Sequence, residues 1–396
     1  MAGLMDPVIV TGVGAVTCHG PGADTLWRAM AAGAVRPPDK LPDPHARMDL
    51  PLMYLAPEDG LPQAPGRAAS FAVAAAREAL SVAGLDPATL PASRTALVLG
   101  TCMGGTGEEE RRRDRGGADG GAPWTPGFDV VGQVATALGL PGAHTSVSNA
   151  CSASGFALGM AADLIRAGEA DVVVGGGADA YARIALGAFN RMGAVDPLGC
   201  RPFAADRAGT VFGEGAAVLV LESAAHAARR GARPLAELAE SGWSCDAHHP
   251  TAPEPSGAQI VRAMRESLDR SGTAPDAVGC VVPHGTGTRL NDRVESAALR
   301  EVFAGGAGRE VPAVYSLKAL VGHTGGAAAG LAAVAATLIV RHATVPPNVP
   351  VGPQDPECGV RLPQSAEPLA APAVLVNAYA FGGNNASFLI REAVPC

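Results

Sequence analysis

The sequence predicts an α/β fold built from two similar halves. Three observations predict it. Short apolar, often β-branched runs recur along the chain, several of them lead through a small-residue turn into a helix-like stretch, and one such unit in each half echoes the other. The runs, in order, are Val8-Ile9-Val10 and residues 95–99, 143–149, 171–174, 217–221, 278–282, 311–316 and 373–377. In the first echo, 143–149 leads through Cys151 into a helix-like 155–167 closed by Gly168. In the second, 311–316 leads through Lys318 and His323 into the Ala/Gly-rich 325–340. A helix-like 223–230 ends at Gly231 and Pro234, which places the join there and gives halves of 1–230 and 231–396. Loops rich in Pro and Gly at 36–65, 116–127 and 346–356 read as connections within the halves, none of them an interdomain linker.

Composition narrows the function. With 396 residues, 47% of them apolar, the chain can bury a large core. Aromatics make up only 4%, which suits close helix and strand packing better than a ligand-stacking surface. The net charge of -8 argues against nucleic acid as the main partner. Eight cysteines are scattered without C-x-x-C or zinc-like spacing and read as reduced thiols of a cytoplasmic protein. No basic n-region with a cleavage site opens the chain, and the apolar 325–340 ends within about 16 residues, short of the roughly 20 a membrane span needs. His248-His249 has no cysteine or carboxylate cluster to complete a metal site. The spaced glycines of 100–107 lack an acidic ribose partner, and the charged run 108–113 reads as a solvated, self-pairing surface.

Four segments carry polar groups that a core would not ordinarily keep. Cys151 follows a strand-like run and precedes a helix, so its thiol is expected at a helix N-terminus, where exposed N–H groups and the helix dipole favour a thiolate. His284 ends a strand and is followed by Gly285-Thr286-Gly287-Thr288. Lys318 stands five residues before His323, which opens a glycine-rich helix. The stretch Asn377-Ala378-Tyr379-Ala380-Phe381-Gly382-Gly383-Asn384-Asn385 places a bare glycine turn after a strand, where backbone N–H groups can approach a ligand. Taken one at a time, a buried cysteine is a small hydrophobe, a histidine a satisfied polar group and Gly-Gly a turn. Together they form a set.

The chain resembles the β-ketoacyl synthases, thiolase-like condensing enzymes of fatty-acid and polyketide synthesis. The matching segments are Ala150-Cys151-Ser152-Ala153, Pro202-Phe203 with Asp206-Arg207 and Gly213-Glu214-Gly215-Ala216, His284-Gly285-Thr286-Gly287-Thr288, Lys318 with Gly322-His323 and Gly326-Ala327-Ala328, and Phe381-Gly382-Gly383-Asn384-Asn385. They follow the family's order from Thr11-Gly12-Val13-Gly14 onward and cover nearly the whole chain.

The resemblance implies a duplicated thiolase-like fold in five layers (αβαβα), with the active site between the halves. It implies that Cys151 takes the acyl group and that His284 and His323 support decarboxylation of a malonyl thioester. Lys318, expected to be held by Glu295 or Asp292, would tune the field at His323. The N–H groups of Cys151 and Phe381 would form an oxyanion hole, and Phe381 with Gly382 and Gly383 a gate. Thr286 and Thr288 would contact the carrier's phosphopantetheine, and Met103 would line the acyl pocket. No bound cofactor or metal is implied, since substrates arrive on an acyl carrier protein. Arg67 and Arg191 are the expected docking cations. The partner is a second copy or a chain-length-factor-like subunit, and no nucleic acid or membrane is expected.

Three positions depart from the family's pattern. Ala332 stands where many fatty-acid-type members carry glutamate, Asn149 where threonine is common, and Ala380 where glycine precedes the gating phenylalanine. They lean toward a discrete type II polyketide or specialised fatty-acid synthase. The alternatives are a housekeeping elongation synthase and a tunnel-shaping partner subunit; retention of Cys151 weighs against the latter. A thiolase would need a second catalytic cysteine and is disfavoured by the His, His, Lys set.

Overall fold

The computed structural model describes residues 7–115, 127–304 and 310–393. Nearly all of the loop expected at 116–127 lies outside them. Ten strands form the main path of one sheet. The first half contributes β1 (Val8–Thr17), β2 (Thr95–Gly100), β3 (Ala143–Val147), β4 (Val172–Asp179) and β5 (Gly215–Ser223). The second contributes β6 (Ala236–Cys245), β7 (Val278–Val282), β8 (Ala313–Val314), β9 (Ala373–Tyr379) and β10 (Asn384–Arg391).

Read outward from the middle, the order is β1-β5-β4-β2-β3 on one side and β6-β10-β9-β7-β8 on the other. Each half begins with two antiparallel pairings and ends with two parallel ones. The halves are thus topologically equivalent strand for strand. They meet where Val8, Ile9 and Val10 pair antiparallel with Leu238, Glu237 and Ala236.

The helices are α1 (Ala23–Ala31), α2 (Arg67–Ala83), α3 (Thr106–Asp114), α4 (Val130–Leu138), α5 (Ala153–Arg166), α6 (Arg183–Arg191), α7 (Ala224–Arg229), α8 (Ala258–Arg270), α9 (Arg289–Phe303), α10 (Lys318–Val321) and α11 (Ala328–His342). Helices α2 and α4 cover the outer face of the first half-sheet, and α8 covers that of the second with α9 packed on it. Helices α5 and α11 lie between the half-sheets and touch strands of both. The result is the expected five-layer arrangement.

Small residues permit these distances. A side chain at Gly14 in β1 would come within 1.9 Å of the Ala75 carbonyl of α2, and one at Gly242 in β6 within 2.0 Å of the Ala263 carbonyl of α8. The glycines near the start of the chain therefore serve helix and strand packing, and their counterpart recurs in the second half. The stretch Gly325–His342 is longer than the sequence suggested: 18 residues with a mean hydropathy of 1.3, long and apolar enough for a membrane span by those measures. It is 83% buried and is the central helix of the core. The charged run 108–113 also does more than pair with itself. Glu108 accepts from the Arg67 N–H at 2.7 Å, and Glu110 from the Arg183 and Ile184 N–H groups at 2.7 and 2.8 Å, capping α2 and α6.

Candidate active site

Parallel strands end at one edge of each half-sheet, and the loops leaving those ends meet over the central helices. Cys151 sits just before α5, in a single 3₁₀ turn over Ala150–Ser152. Ala150 is held at φ 57°, a left-handed conformation that costs a non-glycine residue energy and persists where its surroundings enforce it. The helix-start setting expected for this cysteine is present.

The second half brings His284 from the end of β7 and His323 from between α10 and α11. Their rings meet edge to face with centroids 5.5 Å apart. His323 is fixed at its backbone, donating its N–H to the Val211 carbonyl at 2.8 Å and accepting from the Gly213 N–H at 3.0 Å. Its ring stacks on Phe212 with centroids 5.5 Å apart, and its buried Nδ1 has no partner among the described residues. Burial, reinforced by the Lys318 cation, holds the His284 imidazole well below its ordinary pKa, so it is neutral at pH 7.

Lys318 departs from expectation. Its ammonium is paired with neither Glu295 nor Asp292 among the described residues; it donates to the His284 carbonyl. Glu295 instead accepts the N–H groups of His284 and Gly285, both at 2.7 Å. The peptide groups flanking His284 are thus clamped by a carboxylate on one side and an ammonium on the other. Spacing places all three residues together but cannot reveal that the backbone is what they share. Burial raises Glu295 to about 7 and lowers Lys318. Asp292, also raised by burial, accepts the Phe203 N–H at 2.8 Å and lies 3.2 Å from the Arg207 guanidinium, binding the Phe203 and Arg207 motif to α9.

A cavity of about 400 Å³ opens onto Cys151, His284, His323, Thr286, Thr288 and Phe381. The hydroxyls of Thr286 and Thr288 lie 2.9 Å apart. Phe381 is 36% exposed and stacks on Phe189 of α6 at 5.3 Å; Phe189 meets Phe212 edge to face at 4.6 Å. A row of rings therefore runs from Phe381 to His323, a relation the sequence does not signal. In the glycine turn, Gly382 donates to the Pro250 carbonyl at 2.8 Å and Gly383 to the Ala380 carbonyl at 3.0 Å. Those two amides are therefore committed, contrary to the expectation of a free glycine turn. The Phe381 N–H has no acceptor among the described residues. Asp246 ties the loop down, donating its N–H to the Gly383 carbonyl at 2.9 Å and accepting from the Asn385 amide at 2.7 Å.

Met103 does not line this cavity; it is buried beside Gly325, its methyl 2.9 Å from where a side chain there would begin. Arg67 is also displaced from its expected role. It is bonded to Glu214 at 2.7 and 2.8 Å and to Glu58 at 2.7 Å, and packs over Phe71, so it is not a free docking cation. Arg191 is exposed at the end of α6, next to Met192 of the cavity wall.

The Cys151 thiol is pulled well below its usual pKa, first by a hydrogen bond with Cys102 and then by His323 and Lys318, against the opposing effect of burial. Cys102 moves the other way, raised by that bond, by burial and by Asp179. Asp179, buried at the end of β4, accepts from Thr101 Oγ1 at 2.7 Å and from the Cys102 and Met103 N–H groups, each at 2.9 Å. Sequence reasoning missed Asp179; a carboxylate closing a buried strand of valines and glycines is the signal that could have found it.

Comparison with known proteins bears on this geometry. The family model described as "Beta-ketoacyl synthase, N-terminal domain" matches residues 62–227, and "Beta-ketoacyl synthase, C-terminal domain" matches 235–351. The chain is 34% identical to Nodulation protein E of Rhizobium sp. (strain N33), covering 97% of this chain and 99% of that one. It is 33% identical to the tetracenomycin polyketide synthase ketoacyl synthase alpha subunit of Streptomyces glaucescens, covering 97% of each. Identity to 3-oxoacyl-[acyl-carrier-protein] synthase 2 of Staphylococcus aureus (strain COL) is 31%, over 97% and 98%. Among solved structures, the ishigamide ketosynthase/chain length factor superposes with a TM-score of 0.89 at 33% identity over 99% of this chain and 100% of that one. A type II polyketide acyl-carrier protein in complex with its ketosynthase gives 0.87 at 26% identity, over 98% and 100%.

Proposed function

The chain belongs to the β-ketoacyl synthase family, and from that premise we propose that Cys151 carries the acyl group while His284 and His323 drive the decarboxylation that extends it. The enzyme is an acyltransferase of the 3-oxoacyl-[acyl-carrier-protein] synthase type and catalyses decarboxylative condensation with malonyl thioester. In the first stage the Cys151 thiolate attacks the thioester carbonyl of a carrier-bound acyl group, and the pantetheine thiol leaves. The N–H groups of Cys151 and Phe381 receive the oxyanion.

In the second stage a malonyl thioester enters and loses CO₂. The enolate oxygen accepts hydrogen bonds from His284 and His323, and the carbanion carbon attacks the Cys151 thioester. The Cys151 thiolate is regenerated and the β-ketoacyl product remains on the carrier. Neutral His284 suits this task, because a donor to a developing enolate need not give up its proton. Lys318 and Glu295 hold the His284 backbone in place, with Asp292 supporting the same loop. Thr286 and Thr288 contact the pantetheine arm, and Phe381 with Gly382 and Gly383 gates entry.

One observation carries this reading: Cys151 from the first half and both histidines from the second face one cavity. Substrates come on an acyl carrier protein, with no bound cofactor. The pathway we favour is type II polyketide or specialised fatty-acid synthesis, in the cytoplasm, since buried Ala332 of α11 stands where the resemblance implies glutamate in many fatty-acid-type members, and the relatives include a polyketide synthase subunit. A second copy or a chain-length-factor-like subunit would pair along the exposed edge of β3. The test is intact-mass analysis after incubation with a panel of acyl-carrier thioesters, alone and with candidate partner subunits. An adduct on Cys151 is expected; an adduct that persists in Cys151→Ala overturns the assignment.

A further inference from the structure

We propose that Arg289 binds the phosphate of the phosphopantetheine arm at the rim of the cavity. The inference rests on the reading above, in which Thr286 and Thr288 flank that arm, and adds the contact that holds its outer end. The chain leaving β7 forms one wall of the cavity. Along it His284 and Thr286 are buried, Thr288 is half-buried and Arg289 is exposed, and all four line the space. Successive side chains therefore lead from the reacting centre to solvent. A pantetheine thioester presents its groups in the same order, with sulfur innermost, two amides between and a phosphate at the outer end. The phosphate falls at the level of Arg289.

The backbone of this wall is fixed step by step. Glu295 holds the amides of His284 and Gly285, and Asp292 accepts the Gly287 N–H at 3.2 Å. A side chain at Gly287 would come within 2.6 Å of the Gly209 carbonyl, so the wall lies directly on the segment that follows Arg207. Buried Arg207 donates through Nη2 to the Arg289 carbonyl at 3.3 Å, and Arg289 Nε donates to the Arg207 carbonyl at the same distance. One nitrogen thus anchors the exposed guanidinium. Its two Nη groups have no partner among the described residues.

Neighbouring guanidiniums are already engaged by carboxylates. Arg201 pairs with Asp196 at 2.9 Å and Asp206 at 2.7 Å, Arg207 with Asp292 at 3.2 Å and Asp355 at 2.7 Å, and Arg293 with Glu357 at 2.7 Å. Arg289 has no such pair among the described residues, and of these arginines it is the one that lines the cavity. Held at Nε and open at both Nη atoms, it presents a two-pronged donor to an oxyanion. The phosphodiester of a carrier's arm carries one negative charge shared by two unesterified oxygens, which matches that fork. The contact is made equally before and after decarboxylation, so it contributes to binding and not to the chemical step.

The experiment measures CO₂ release by the full chain from malonyl-pantetheine, from malonyl-phosphopantetheine and from malonyl on a phosphopantetheinylated acyl carrier protein. Arg289→Ala should raise KM for malonyl-phosphopantetheine about 10-fold, with kcat within about twofold of the parent. Malonyl-pantetheine lacks the phosphate, and its KM should stay within about twofold in the same variant. Arg289→Lys, which keeps the charge without the fork, should fall between parent and alanine, and Arg289→Glu should exceed alanine. A KM that rises equally for both free thioesters overturns the proposal, because a structural role would not tell them apart. So does a loss confined to the carrier-bound substrate, which would set Arg289 against the carrier's own surface. If the parent releases CO₂ from none of these substrates, the condensation reading itself fails.

Discussion

The two halves of this molecule run the same strand order and pairing, yet the turn that each places before its central helix is built differently. In the first half the chain passes from β3 to α5 through Asn149, Ala150 and Cys151, with Ala150 strained at φ 57°. In the second, the passage from β8 to α11 is longer and carries the short helix α10, with Lys318 at its start and His323 beyond its end. One scaffold thus offers a tight turn for a nucleophile and a roomier one for a cation and an imidazole. On the proposed reading, the first of these equivalent turns carries the acyl-holding cysteine and the second carries one of the two decarboxylating histidines.

That division of labour can be broken most directly by mutation on each side. Cys151→Ala should reduce acyl transfer and condensation to background, whereas Cys151→Gln should retain malonyl decarboxylation, read as CO₂ release. Loss of decarboxylation in a folded Cys151→Gln protein would show that the halves are not separable. His284→Ala and His323→Ala should each lower decarboxylation on the order of 10²- to 10³-fold while sparing self-acylation. If self-acylation falls further than decarboxylation, the roles assigned to the second half are wrong.

A third test sharpens the comparison through pH. Glu295 titrates at about 7 in the fold because burial penalises its charge, whereas an unfolded glutamate titrates near 4.5. Its folded value is raised, so its contribution to stability is fully present below about 4.5 and is lost as pH rises to about 7. The advantage of the parent over Glu295→Gln in denaturant unfolding should therefore shrink by on the order of 3 kcal/mol between pH 4.5 and 7 and stay level above. An advantage that grows over that window would contradict the buried clamp on the second-half loop. The smallest effect is expected where the halves touch across the gate. Phe189→Leu removes the ring stacked on Phe381, a contact worth about 0.5 to 1.5 kcal/mol, and should change condensation by about 2- to 10-fold with Cys151 alkylation unaltered.

Much of this was legible in the chain. Apolar runs located eight of the ten strands because seven of those strands are buried on both faces; β3, largely exposed, is the exception. Strand β6 escaped because Glu237, Glu240, Ser241 and Ser244 make it look solvated. In the fold, Glu237 takes Arg391 at 2.7 Å, and Glu240 takes Arg166 and Arg270 at 3.1 and 3.0 Å. Paired charge is indistinguishable from exposed charge in one dimension.

At the site, residue types and order led to Cys151, His284, Lys318 and His323, since their chemistry is unusual for a core. What Lys318 and Arg67 bind was not legible. Both have several carboxylates within plausible reach, and only the folded backbone decides among them. The ring row from Phe381 to His323 joins residues remote in sequence.

Helix α11 has one further consequence. Half of its buried residues are alanine, and it fills the gap between the half-sheets together with α5, where a side chain added at Gly155 would come 3.3 Å from Ala329. It acts as a shim: its thinness sets how far Cys151 stands from the two histidines. A bulkier residue in its middle would change that spacing without touching any reacting atom, so the tolerance of this chemistry is written in the smallest side chains of the core.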